Sequence, residues 1–150
     1  MVVRKLLIAI KILAVVGIGI SGYALAHHDS FVSGSFCAIG ASFDCDTVNR
    51  GAFSEMLGIP VALFGVIGYL FLGITAFAAL RLPHDRSLPK LLAAEAVLGL
   101  MFTLYLTAIE AFVLRTFCII CLSSQVVMLG IFSCTIALFR FQSRGPTNGS

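Results

Sequence analysis

Four long apolar runs divide this chain, at residues 6–26, 59–80, 91–114 and 117–141, and a single mixed segment at 27–58 separates the first from the second. Each run reaches the ~20 residues that an α-helix needs to cross the hydrocarbon of a bilayer. The pattern predicts four spans joined by one large loop and two short connections, which is the signature of an up-down four-helix bundle. The first run follows Arg4 and Lys5 and contains Lys11, whose long stem lets its ammonium snorkel toward the starting side. It closes on Ala24-Leu25-Ala26, which imitates a signal-peptidase site, but it exceeds the ~7–15 apolar residues of a signal core. A retained helix is expected. Gly17 and Ser21, four apart, would admit a neighbouring helix at close range.

The mixed segment holds most of the acidic residues together with Cys37 and Cys45. Within it, Asp44 or Asp46 is placed to cap a short interfacial helix running to about Leu57, with Val48, Ala52 and Met56 on one apolar side and Gly58 as its stop. Pro60 then falls near the first turn of the second span, where a missing N–H costs nothing. The connection at 81–90 is short, basic and broken by Pro83 and Pro89, and Arg115-Thr116 interrupts the apolar pattern before the fourth run. The polar tail at 142–150 is expected to be disordered, leaving residues 1–141 as one membrane domain.

Composition agrees with spans rather than a soluble core: 59% of the residues are hydrophobic, 11% are charged, and the mean hydropathy is +1.06. The net charge of +3 comes from Lys and Arg at segment ends, with no basic stripe interleaved with aromatics, so a nucleic-acid partner is set aside in favour of lipid. Arg4, Lys5, Arg81, Arg86, Lys90, Arg140 and Arg144 would share one side, and Arg50 and Arg115 the other. By the positive-inside rule both termini are cytoplasmic, and the large loop and the start of the fourth helix lie outside a cell (inner) membrane. That gathers Cys37, Cys45, Cys118 and Cys121 at one extracytoplasmic face, in a compartment that permits disulfides. Cys134 lies thirteen residues beyond Cys121, inside an apolar run. It reads as a small buried apolar residue.

The chemistry centres on Cys118-Ile119-Ile120-Cys121. At the start of a helix, unpaired amide N–H groups and the dipole favour a thiolate, and i, i+3 spacing puts both sulfurs on one face, close enough for a disulfide. Cys118 is expected nearer water and Cys121 nearer lipid. A loop pair, Cys37 and Cys45, and a helix pair, Cys118 and Cys121, make a relay by thiol–disulfide exchange, for which a membrane quinone is the natural two-electron sink. Four side chains carry open alternatives. Glu110, about one turn from the outer end of the third span, can take a proton near Cys121 or pair with Arg115. Gln125, one turn deeper than Cys121, can donate to a quinone carbonyl or hydrogen-bond another helix. His27-His28 can contribute to a metal site or mark the wet end of a helix, and no metal is assigned.

These residues resemble the vitamin K epoxide reductase family, most closely its prokaryotic members. The resemblance spans about residues 37–124: Cys37 and Cys45 with seven residues between, Asp44-Cys45-Asp46-Thr47-Val48, Gly58-Ile59-Pro60, Phe64-Gly65 with Tyr69, Tyr105-Leu106 with Glu110, and Cys118 to Cys121 with Ser123. It implies a four-helix bundle around a quinone, capped by the loop and a half-helix. It also implies a role for each cysteine: Cys37 exchanges with a thioredoxin-fold partner, Cys45 links to Cys118, and Cys121 reacts with the quinone. Ubiquinone, menaquinone or a vitamin K-type quinone would serve. Many prokaryotic relatives carry a fused thioredoxin-like domain; none is present in these 150 residues, so a separate redox partner is expected. Gly51 stands where many relatives have Ser or Thr, with Ser54 a displaced substitute, and Val61 and Gln125 stand where the animal enzymes have Asn and Tyr. The last two departures point away from epoxide reduction and leave quinone reduction intact, and the resemblance to prokaryotic members implies disulfide formation in exported proteins. The rival readings are an epoxide reductase proper and a non-catalytic scaffold or metal-binding protein.

Overall fold

A computed structural model describes residues 1–28, 48, 54–56 and 58–143. Its elements are α1 (Val2–His28), a minimal hairpin of β1 (Glu55–Met56) and β2 (Ile59–Pro60), α2 (Val61–Arg81), α3 (Ser87–Ile109), a π-helical turn (Glu110–Leu114) and α4 (Ile119–Ser143). Four helical stretches, Val2–His28, Val61–Arg81, Ser87–Leu114 and Ile119–Gln142, are long and apolar enough to span a membrane. This is an all-α, multi-pass membrane bundle.

Its helices exceed the apolar runs at several ends because charged residues sit comfortably in terminal turns. α1 takes in Arg4, Lys5 and both histidines, and α2 extends to Arg81, whose guanidinium lies 5.1 Å above the Phe77 ring. α3 begins at Ser87 rather than near Leu91. Asp85 Oδ1 accepts hydrogen bonds from the Ser87 amide and hydroxyl, satisfying a donor at the start of the helix and admitting Pro89 to its first turn.

The short helix expected to end near Leu57 does not reach that far. Glu55 and Met56 pair antiparallel with Pro60 and Ile59, Gly58 turns the chain at φ +78°, and the Val61 amide closes the hairpin on the Ser54 carbonyl at 2.9 Å. Gly58, expected as a helix stop, takes its positive φ in a hairpin turn instead, because the residues before it find their partners across that turn. The proposed caps Asp44 and Asp46, both loop cysteines and the tail from 144 onward lie outside the described residues.

Packing is tight toward the end of the bundle where α1 begins and α4 ends, and opens toward the other. The core joins Leu7, Ile10 and Ala14 of α1 to Leu72, Ala76 and Ala79 of α2, Leu92 and Ala96 of α3, and Ile131 and Leu138 of α4. Small residues set the spacing between α1 and α2, the most extensively packed helix pair. Gly17 lies against the face of Tyr69, and Ser21 against Gly65, as their four-residue spacing predicts. Beyond Tyr69 large side chains no longer interdigitate. A cavity begins there.

Candidate functional site

The site is built by the turn between α3 and α4. After Ile109 the helix widens into one π turn, and Arg115 then adopts a left-handed conformation (φ 52°, ψ 27°), unusual for a side chain of its size. Both the Arg115 and Thr116 amides donate to the Glu110 carbonyl. This reversal folds the following residues back over Glu110, so that the Cys118 amide donates to Glu110 Oε2 at 3.2 Å. Glu110 is only 2% exposed and thus terminates one helix while orienting the next. No ion pair between Glu110 and Arg115 occurs among the described residues. Of the two readings open for this carboxyl, the one near the cysteines matches its position.

Cys118 is the residue immediately before α4, and its carbonyl accepts the first intrahelical bond, from Leu122 at 2.9 Å. Cys121 is therefore the third residue of the helix, the position whose amide an N-terminal cap faces. The Cys121 thiol is hydrogen-bonded both to the Cys118 sulfur and to the Glu110 carboxylate. Cys118 has no exposed surface, whereas Cys121 opens onto the cavity. The turn buries the first cysteine by folding it against Glu110. The cavity reaches the second.

That cavity, of about 130 Å³, lies between all four helices. Phe64, Phe102, Leu106 and Ile120 give it apolar walls, and Ser21, Tyr69, Thr103, Thr107, Glu110 and Ser124 supply convergent polar groups. His28, Ser54 and Val61 stand toward the loop end, where His28 Nε2 lies 3.5 Å from Glu55 Oε1. Tyr69, 1% exposed, donates to the Ser124 carbonyl at 2.8 Å and shares a second 2.8 Å bond with the Ser124 hydroxyl. A small set of polar groups on apolar walls suits a flat, mostly apolar ring bearing carbonyl oxygens.

Cys121, Ser124 and Met128 line the cavity as an i, i+3, i+7 stripe on α4. Gln125 falls to one side of that stripe, where its Oε1 accepts from the Thr107 hydroxyl at 2.6 Å, and it is not part of the cavity wall. The helix–helix alternative is the one observed for its carbonyl oxygen. His27 is buried beside Tyr23 rather than forming a wet helix end, and no cluster of three metal-ligating side chains occurs among the described residues. Cys134 packs against the core, remote from the other described cysteines. Cys37, Cys45 and Gly51 lie outside the described residues, while Ser54, their described neighbour, is buried at the cavity wall.

Sequence reasoning did not single out Thr103, Thr107 or Ser124. The four-residue spacing of Thr103 and Thr107, followed by Glu110, was the available signal of a polar stripe along one apolar helix. A family-level comparison matches residues 8–136 of the 150-residue chain, reaching into all four spans and including Cys118 and Cys121. The chain is thus a member of the vitamin K epoxide reductase family, a family of membrane oxidoreductases.

Proposed function

We propose that this protein is a quinone-dependent thiol oxidoreductase that oxidises a separate thioredoxin-fold partner on the extracytoplasmic side. The observation that carries the reading is the placement of Cys121: its sulfur contacts Cys118 and opens onto an apolar cavity bounded by Phe64, Phe102 and Leu106. In this reading Cys37 exchanges with the partner, Cys45 passes the electron pair to Cys118, and closure of the Cys118–Cys121 disulfide releases two electrons and two protons. A quinone bound in the cavity accepts both electrons and both protons. The aromatic walls orient its ring, Tyr69 and Ser124 supply hydroxyls beside it, and the surrounding lipid and protein exclude water. Val61 contributes only an apolar surface to the cavity, which supports reduction of a plain quinone over an epoxide.

The test is anaerobic mixing of the reduced protein with ubiquinone, menaquinone and vitamin K epoxide, following thiols and quinone together. One disulfide should form per quinone reduced, with little turnover of the epoxide. Cys118→Ala and Cys121→Ala should each abolish quinone reduction by a reduced partner, and Cys121→Ala should trap a Cys45–Cys118 disulfide visible by non-reducing peptide mapping. Full activity in either variant rejects the relay. Preferential epoxide reduction would assign the protein to the other branch of the family, and failure to turn over either acceptor would leave only the scaffold reading.

A further inference from the structure

Glu110 is an acidic side chain in a membrane-spanning segment, 2% exposed, with one face on the cysteine pair and the other on the cavity. Such a group is expensive to retain unless it is paired or used. Its pairing is specific: the Cys118 amide holds Oε2, which fixes the carboxylate plane, and the Cys121 thiol hydrogen-bonds to the same carboxylate. The π turn and the left-handed Arg115 are the backbone devices that keep this geometry, since an uninterrupted α-helix could not return the Cys118 amide to Glu110.

We infer that Glu110 is the general base and proton carrier of the Cys121 thiol. The inference rests on the quinone-reducing reading for its overall reaction but not for its first step. In that step the Cys121 S–H bond breaks, an O–H bond forms on Glu110, and the electron pair stays on sulfur. As the Cys118–Cys121 bond closes and two electrons leave for the quinone, Glu110 gives its proton to a quinone oxygen across the cavity and returns to carboxylate. The second proton comes from the Cys118 thiol. The other ionisable groups on the cavity wall among the described residues are His28 of α1 and Tyr69 of α2.

The test separates the two claims. In the reduced protein without quinone, Cys121 alkylation by a small membrane-permeant maleimide is followed by mass spectrometry across pH. Glu110→Gln, which keeps an acceptor for the Cys118 amide but cannot take a proton, should slow Cys121 alkylation at neutral pH by at least about tenfold and remove the lower inflection of the pH–rate curve. Glu110→Asp should restore that inflection in part, and His28→Gln should retain it. With quinone present, Glu110→Gln should lower kcat by about 10²–10⁴-fold with little change in KM. Alkylation of Glu110→Gln that tracks the unsubstituted protein across pH overturns the role of Glu110 and leaves the cysteine relay standing. An altered alkylation curve in a protein that reduces no quinone overturns the relay and leaves the base standing. Should Glu110→Gln fail to fold, infrared difference spectra between dithiol and disulfide forms of the Glu95→Gln protein supply the measurement. A protonated-carboxyl signal that changes with redox state is expected, and its absence overturns the assignment.

Discussion

Substituting Gly17 by Ala perturbs the place where the tight half of the bundle meets the cavity. A Cβ there would lie 2.5 Å from Tyr69 Cδ1 and Cε1 and 2.6 Å from Cγ. Carbon atoms rest at about 3.5–4.0 Å, so α1 must withdraw or the ring must shift by about 1 Å. Because Cγ is among the clashing atoms, spinning the ring about its own axis gives no relief. The ring is buried and its hydroxyl is held by both Ser124 bonds, so any larger rotation breaks contacts on α4. Overpacking of this kind costs about 1–3 kcal/mol. A lost interhelical hydrogen bond adds about 0.6 kcal/mol and at most about 1.7. The higher helix propensity of Ala returns about 1 kcal/mol. A net loss of roughly 0.6–3.7 kcal/mol follows for Gly17→Ala. Reversible unfolding in mixed micelles, followed by helical circular dichroism, measures it. Gly19→Ala, where nothing lies within 4 Å of the added carbon, is the control and should be neutral or stabilising. In a Tyr69→Leu background the penalty at Gly17 should vanish and leave the propensity gain, giving a coupling of about 1.6–4.7 kcal/mol. The reasoning fails if Gly17→Ala behaves like Gly19→Ala, or if the penalty persists without the ring.

Three further outcomes follow from local contacts. Thr75→Val removes the 2.9 Å donor to Glu95 Oε1, while Oε2 is already buried without a hydrogen-bond partner, so about 1–3 kcal/mol should be lost and largely recovered in Thr75→Val/Glu95→Leu, as measured by the same unfolding equilibrium. Gln125→Leu should cost about 0.6 kcal/mol through loss of the Thr107 bond, with the KM for quinone unchanged; a large rise in KM would instead give Gln125 a direct contact with the acceptor. The hydrogen bonds from Ser87 hold the Asp85 carboxyl below its ordinary pKa, so its support of α3 is fully present above the usual Asp value of ~3.9 and is lost as pH falls through the depressed one; Asp85→Asn should erase that part of the acid dependence of stability.

The spans were legible because lipid imposes a length and a composition that show directly in sequence. Close approach at Gly17 and Ser21 was legible for a related reason: without side-chain bulk, little but backbone separates neighbouring helices. The ends of the helices were less so. A charged residue such as Arg4 or Arg81 breaks an apolar pattern without breaking a helix, and Ser87 starts α3 because Asp85 supplies an acceptor, which hydropathy cannot register. Glu55 and Met56 carry helical spacing relative to Val48 and Ala52, yet pair across Gly58 because a two-residue turn brings Pro60 and Ile59 opposite them.

Within the site, sequence could identify chemistry but not which face of α4 meets the cavity. Cys121, Ser124 and Gln125 all lie on one broad side of an α-helix, and the approach of α3 decides between Ser124 and Gln125 by taking the Gln125 carbonyl with Thr107. The burial of Cys118 was equally hidden. Its sequence position marks the outer end of the helix and says nothing of burial, whereas one left-handed residue, Arg115, folds it under Glu110. The consequence is a difference in surroundings between two sulfurs only three residues apart. Cys118 is buried with its amide held by Glu110, while Cys121 opens onto the apolar cavity. The i, i+3 spacing already sets the two thiols at different depths; the π turn adds a difference in burial, and the proposed relay, which runs in one direction, would use that inequality.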